Sequence, residues 1–534
     1  MTVSGPKDAS GTPGSNVAGM LWESAERNGG RAAILDGSGA TDYGTLRDRA
    51  AAVAATLSEL GVHPNDRVGI FLDAGPDAVA AFFGVTAVGS IAIVINEALR
   101  PRQVEYMLHH ASAVLLISST SLLERQPRPL ETACRILDVR EMPAASAFGP
   151  ITRHGVDPAQ ITYTSGSTGL PKGVTVSHAN LWAAMQAVTS YLGIVTEDRI
   201  ASVLPFSFVY GMSQVLCAVG RGATLVIERS PLVQQLVLNL RAREVSVLAA
   251  VPPLWLQLVR APAFSTALPS LRIMTNAGGH LPAPAVRALR QAQPQAALFL
   301  MYGLTEVLRS TFLPPDEVDR RPDSIGRAIP GAEVLVLRDD LTPCGPGEVG
   351  ELVHCGPTVT LGYWNDPDAT ARVFRPHPFR GSGASDRERV VFSGDLVRRD
   401  TAGCLYFVGR RDRQIKTLGY RVSPEESASV LYTSGEVLEA VVTTELDELR
   451  GERIVAYVVL AVGGSLLRLK TFCGSELPYY MQPARFEVRQ ALPRLPSGKH
   501  DLAAVAGSRN PSELALSPSP LRVTGVSCAS AQSS

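Results

Sequence analysis

Residues 163–174, Tyr-Thr-Ser-Gly-Ser-Thr-Gly-Leu-Pro-Lys-Gly-Val, gather hydroxyls, glycines and a lysine into one short stretch. Gly166, Gly169 and Gly173 let the backbone approach a ligand closely. The hydroxyls of Thr164, Ser165, Ser167 and Thr168, with the freed N–H groups, can then face anionic oxygens, and Lys172 adds a full positive charge. That set suits a triphosphate. The spacing is not the Walker pattern, because G-x-x-x-x-G-K-[ST] is absent here. Ser/Gly/Thr runs are often solvated linkers. This one ends in Pro171-Lys172-Gly173 and runs straight into apolar Val174 and Val176, which a linker has no reason to carry.

The elements that must position this loop follow from the surrounding pattern. A β-prone run at 160–163 leads into it. Short apolar runs at 67–72, 91–95, 113–118, 223–227 and 247–251 read as strands, and helical patterns cover 43–60, 77–88, 101–110 and 178–191. The alternation predicts an α/β body with largely parallel sheets buried on both faces, reaching about residue 309. From 324 the texture changes to short strands at 332–337, 350–354 and 405–408, expected as a small antiparallel, distorted barrel. The charged segment 409–413 reads as a hinge, and a compact α+β unit follows to about 506. Residues 1–16 and 507–534 are rich in Gly, Ser and Pro or Ser, Pro and Ala, and are expected to be disordered.

Composition excludes several classes. At 534 residues with 45% apolar and 19% charged content, the chain must build more than one core. Lys plus Arg and Asp plus Glu are 50 each, so no charge surplus points to nucleic acid or anionic lipid. Seven scattered cysteines without a C-x-x-C pair fit reduced thiols and a cytoplasmic location. The N-terminus has no signal-peptide core. The most membrane-like run, 79–95, is broken by Gly84, Thr86, Gly89 and Ser90, and reads as a buried helix ending at Gly89 before a buried strand.

Further motifs stand in order after the loop: Met-Tyr-Gly-Leu-Thr-Glu (301–306), Ser-Gly-Asp-Leu (393–396), Gly-Arg-Arg-Asp-Arg-Gln-Ile-Lys-Thr-Leu-Gly-Tyr-Arg-Val (409–422) and Leu-Pro-Ser-Gly-Lys (495–499). Together they resemble the adenylate-forming (AMP-forming) superfamily, which includes acyl-CoA ligases, peptide-synthetase adenylation domains and fatty acyl-AMP ligases. The resemblance runs from about 17 to 502. It implies a large N-terminal domain (17–411) of two α/β subdomains plus the small distorted β-barrel, and a small mobile α+β lid (412–506) hinged near Asp412. It also implies a reaction: a carboxylate attacks the α-phosphate of ATP, pyrophosphate leaves, and a nucleophile, usually a thiol, then displaces AMP. Two anions meet in the first half, so the site must neutralise charge.

The resemblance assigns roles to individual residues. Glu306 and Thr164 would hold Mg²⁺, which prefers hard oxygen ligands. Thr305 would hydrogen-bond the α-phosphate, and Tyr302 would offer its face to adenine. Asp395, expected between a strand at 390–392 and a turn, would accept the ribose hydroxyls, and Arg410 would pair with ribose or phosphate. Asn276, Gly278 and Gly303 complete the nucleotide set. Lys499, on the lid loop, would bridge the attacking carboxylate and the α-phosphate. The second substrate is expected to be coenzyme A or a phosphopantetheine, so an acyl or peptidyl carrier protein is a candidate partner of a monomer or homodimer.

The substrate pocket departs from the amino-acid-activating pattern. Phe208 stands where those domains have Asp, so no anion meets an α-ammonium there, and an unpaired buried ammonium is costly. Walls expected from Phe208, Tyr210, Gly211, Val251, Ala277 and Gly279 are mostly apolar and aromatic, suiting an aliphatic or aryl acid. After Lys499 come His500, Asp501 and Leu502, where the family usually has an apolar residue, Asp and Arg. The alternatives are the same adenylation with an amine acceptor or a small oxyacid such as nitrite, and a nucleotide-binding pseudoenzyme, which would lack Glu306 or Lys499.

Overall fold

The apolar run at 79–95 divides as its glycines require. Helix Pro76–Ala87 starts with Pro at its first turn and ends before Gly89, and strand Ile91–Val94 follows. This computed structural model describes residues 16–99, 101–126, 128–143, 145–164, 171–230, 232–380, 389–410, 415–417, 420–422, 424–447, 451–477, 482–496 and 498–507. Among them no helix is long and apolar enough to cross a membrane.

The strands form two parallel-cored sheets and a third, smaller one. In the first small sheet, strands Arg67–Phe71, Ile91–Val94, Leu115–Ser118 and Arg135–Asp138 run parallel, and Pro158–Thr164 joins on Ile91–Val94. Strand Pro158–Thr164 then pairs antiparallel with Lys172–Ser177, so the candidate phosphate loop is the connection of a two-stranded ribbon. The largest sheet carries Ala32–Asp36, Thr224–Ile227, Arg199–Ser202, Val247–Ala250, Ile273–Asn276 and Ala297–Tyr302 in parallel. At Ala297–Tyr302 the direction reverses. Thr311–Leu313 and Ser324–Ala328 pair antiparallel, and the ladder continues through Leu405–Arg410, Arg389–Arg399, Val349–Cys355 and Glu333–Leu337. The antiparallel strands expected as a distorted barrel therefore run on from the parallel sheet through one hydrogen-bonded path.

Apolar burial explains the two α/β layers. Tyr43, Phe82 and Phe83 are at most 1% exposed in one core, and Trp255, Phe264 and Leu298 are fully buried in the other. A fully buried Trp removes about 150–250 Å² from water, worth roughly 4–6 kcal/mol at ~25 cal/mol per Å². Its indole N–H is not wasted, since Trp255 Nε1 donates to Ala250 O (3.1 Å) and Thr275 O (3.2 Å). The C-terminal unit has its own core of Leu431, Val442, Ile454, Ala456 and Leu469 under a sheet built on strands Val437–Asp447 and Gly451–Leu460.

Two sequence expectations shift at their edges. Asn16, read as part of the leader, is 4% exposed, and its amide donates to Thr86 O (2.7 Å) and Ile151 O (3.1 Å). The strand expected at 390–392 is Arg389–Arg399, so Asp395 lies inside a strand rather than between a strand and a turn. Gly394 at φ +69° permits this, because the strand kinks there without ending.

Candidate active site

Three neighbouring parallel strands end side by side. Ala250 pairs with Asn276, and Asn276 with Leu300, so Val251, Asn276 and Tyr302 emerge at the carboxyl edge of the sheet. That edge, next to the reversal at Ala297–Tyr302, is where open α/β sheets form ligand crevices. Trp255 ties helix Pro252–Arg260 to the ends of two of those strands, which fixes Val251 at the helix start. Asn276 is 3% exposed; its Nδ2 donates to Gly279 O (3.2 Å), while its Oδ1 has no hydrogen-bond partner.

A separate cluster gathers charge and hydroxyl. Thr164 and Lys172 face each other across the ribbon at the mouth of the loop, and Ser165, Gly166, Ser167, Thr168 and Gly169 lie outside the described residues. Glu306 and Thr305 sit on the 3₁₀ turn Thr305–Val307. The Tyr363 hydroxyl donates to Glu306 Oε1 at 2.6 Å, and Lys172 Nζ lies 5.2 Å from the Tyr363 ring centre. Burial and the Glu306 charge hold the Tyr363 phenol well above its ordinary range, so it remains a donor. Two chain segments far apart in sequence are thus joined through Tyr363, which sequence reasoning missed. Its two-residue strand Gly362–Tyr363 is too short to show periodicity.

Tyr302, Asp395 and Arg410 form a second group. The Tyr302 hydroxyl donates to Asp395 Oδ2, and Arg410 Nη1 lies 3.0 Å from Asp395 Oδ1. Asp395 and Arg410 are direct partners across the strand ladder, so Arg410 closes strand Leu405–Arg410 and is not part of a free hinge segment. Burial and the adjoining Asp395 charge push the Tyr302 phenol far above its usual range. Asp395 is 4% exposed, so its charge is balanced locally by Arg410.

The pocket wall expected at 208–211 opens helix Val209–Arg221, with half-buried Phe208 at its N-cap. Gly211 is required by close packing, because a Cβ there would lie 2.0 Å from Pro205 O. The Tyr210 hydroxyl bonds Thr275 O (2.9 Å) and Thr275 Oγ1 (2.6 Å), locking the helix start to the strand that carries Asn276. Ala277 is buried, Gly278 and Gly279 are exposed, and Gly303 backs onto the Arg309 backbone. Beside the expected wall, Arg309, 3% exposed, stacks its guanidinium 4.9 Å from the Tyr210 ring centre. It follows the Tyr-Gly-Leu-Thr-Glu motif by three residues, where a lone Arg reads as an ordinary surface charge.

On the C-terminal unit, Lys499 is exposed and follows a tight turn in which Gly498 N donates to Leu495 O (2.9 Å) and Leu495 N to Lys499 O (2.8 Å). Gly498 lies against Val251, since a Cβ on it would meet Val251 Cγ2 at 3.6 Å. The lid loop therefore reaches the body at the carboxyl edge of the sheet. His500 is held neutral, its pKa pushed down to about 4 by burial and by Arg494. Asp412 lies outside the described residues.

Comparison with known proteins places these features in a family. The model of the AMP-binding enzyme family matches residues 21–364, and that of the AMP-binding enzyme C-terminal domain matches 426–499. The chain is 32% identical over 503 residues to novobiocin biosynthesis protein H of Streptomyces niveus, covering 91% of this chain and 81% of that protein. It is also 29% identical over 478 residues to the dimodular nonribosomal peptide synthase of Bacillus subtilis, covering 87% of this chain but only 20% of that much longer one. Among solved structures, the o-succinylbenzoate CoA synthetase of Bacillus subtilis in complex with its acyl-adenylate intermediate superposes with a TM-score of 0.80. That match has 26% identity and covers 92% of this chain and 98% of that one.

Proposed function

Because this chain belongs to the AMP-binding, adenylate-forming enzyme family, and is an AMP-forming ligase, we propose that it activates a carboxylic acid other than an ordinary α-amino acid and passes the acyl group to a thiol. The acid's carboxylate oxygen bonds to the α-phosphorus of ATP while the bond to the β-phosphate bridge breaks, and pyrophosphate departs with the electron pair. A thiol then bonds to the acyl carbon, AMP leaves, and the thiol proton passes to solvent.

The observation that carries the reading is the meeting of Lys172, Tyr363 and Glu306 beside the mouth of the hydroxyl-rich loop. Lys172 and Thr164 would hold the phosphates, and Thr305 would donate to the α-phosphate. Glu306 has one carboxylate oxygen anchored by Tyr363. Its hard oxygens, with the Thr164 hydroxyl, fit Mg²⁺, which would offset phosphate charge there. Asp395 would exchange the Tyr302 hydroxyl and Arg410 for the ribose hydroxyls, and Tyr302 would then flank adenine. Asn276, whose buried Oδ1 lacks a partner, would take a base or substrate N–H. Lys499 would enter with the lid, turning about Asp412, and stabilise charge developing on the attacking and leaving oxygens.

Coenzyme A is the favoured thiol, as in the CoA synthetase to which the chain is similar, and a carrier-protein phosphopantetheine is the other form of the same acceptor. The test is ATP–pyrophosphate exchange over a panel of carboxylic acids, followed by product analysis with coenzyme A, a carrier protein or an amine supplied. Exchange with at least one acid and a thioester product are expected. Absence of exchange with every acid overturns the reading, and an amide product reassigns the acceptor.

A further inference from the structure

Helix Val209–Arg221 borders two small cavities of about 20 Å³ each, and Arg309 lines both of them. Arg309 is 3% exposed, and its Nε has no hydrogen-bond partner. Among the described residues its guanidinium donates to no carboxylate or carbonyl; the stack on Tyr210 at 4.9 Å is its one side-chain contact of charge-compensating kind. Arginine cannot shed its proton to escape the cost of burial. A cation–π contact offsets part of that cost, and a bidentate anion would complete it.

Among the described residues, Tyr191, Tyr210 and Cys217 feel its charge and are all kept protonated by burial, with the Cys217 thiol pushed up to about 11. None can pair with it as an anion. The backbone that aims it inward is strained. Leu308 has φ +57° and ψ −52°, and Arg309 N donates to Val307 O at 2.5 Å, a γ-turn of the rare positive-φ kind. A bulky γ-branched residue held in that conformation costs stability, and such strain collects at functional sites. The same turn follows Glu306 in the chain, and one of the cavities shares Val209 with the pocket wall that begins at Phe208.

We infer that Arg309 is a specificity-determining residue for the acid. The substrate carries a second carboxylate at the end remote from the one that is adenylated, and Arg309 pairs with it. The inference rests on the adenylation reading above and deepens it. It also agrees with Phe208: the pocket offers an α-ammonium no anion and presents a cation to it instead.

The experiment measures pyrophosphate exchange by the full chain with acids matched in skeleton: glutarate against pentanoate, succinate against butanoate, and terephthalate against 4-methylbenzoate. The expected result is at least a tenfold higher kcat/KM for a dicarboxylate than for its methyl-ended partner. Arg309→Met is expected to lower the dicarboxylate value at least a hundredfold while leaving or raising the monocarboxylate value, and Arg309→Lys to restore part of it. Equal or better exchange with the monocarboxylates by the unaltered protein overturns the inference while sparing adenylation, and needs no variant to fold. An equal loss on both series in Arg309→Met also overturns it, by making the residue merely structural. Exchange with no acid of either series overturns the adenylation reading and this inference together.

Discussion

Replacing Tyr363 with Phe removes one hydroxyl and little else. The ring keeps its edge contact with Phe374, at 5.7 Å between centres, and its face toward Lys172 at 5.2 Å. What is lost is the 2.6 Å bond to Glu306 Oε1. Hydrogen bonds to charged acceptors contribute about 1.5–3 kcal/mol. Glu306 is half-buried, so water recovers part of that, and the lower half of the range applies. At about 1.4 kcal/mol per tenfold, kcat/KM for ATP in pyrophosphate exchange should fall roughly 10- to 40-fold. The Mg²⁺ concentration for half-maximal exchange should rise, because a freely rotating Glu306 presents its oxygens less often. Thermal stability should change by less than about 1 kcal/mol, since the packing is intact. Exchange within twofold of the parent at every Mg²⁺ concentration would refute the reasoning, and so would a loss that tracks a collapse in Tm.

Three other perturbations probe separate parts of the arrangement. Lys499→Ala should lower adenylation by about a thousandfold or more with Tm unchanged, because an exposed loop side chain contributes little to a core; an unaltered exchange rate would remove Lys499 from the reacting phosphorus. Gly211→Ala forces a Cβ to within 2.0 Å of Pro205 O, and should destabilise by about 1–3 kcal/mol and displace Phe208 and Tyr210, read as a lower Tm with a raised KM for the acid. His354, bonded to Ser310 and Thr358 at 3.0 Å each, has its pKa pushed down to about 4 by burial. Its folded value lies below the unfolded one, so the unfolded chain takes the proton first as pH falls. That contribution is intact above about pH 6.5 and is lost toward pH 4, by up to about 1.4 kcal/mol per unit. Calorimetry of His354→Gln should show a flatter decline across that window, and identical profiles would exclude this histidine as a source of acid sensitivity.

How much could be read beforehand depended on whether the signal was local. Gly89 ended a helix because its neighbours leave the chain no other course, and the alternation of apolar runs with helical patterns prescribed α/β layers. The loop at 163–174 and the Tyr-Gly-Leu-Thr-Glu stretch announced phosphate chemistry because the required atoms are contiguous in the chain. Asp395 was legible as a residue but misplaced, since a single left-handed glycine let its strand continue past it.

Tyr363 and Arg309 belonged to the other kind. Nothing near Tyr363 in the chain mentions Glu306, 57 residues away, and only the pairing of Gly362–Tyr363 with Lys172–Ser177 brings the three groups together. Arg309 is one of 50 basic residues in the chain, and its type says exposed. The γ-turn at Leu308 and the packing of helix Val209–Arg221 turned it inward. Contiguous residues specify which chemistry the chain can hold. Burial and long-range pairing, which depend on the whole folded surface, decide which charges remain to be met by a substrate.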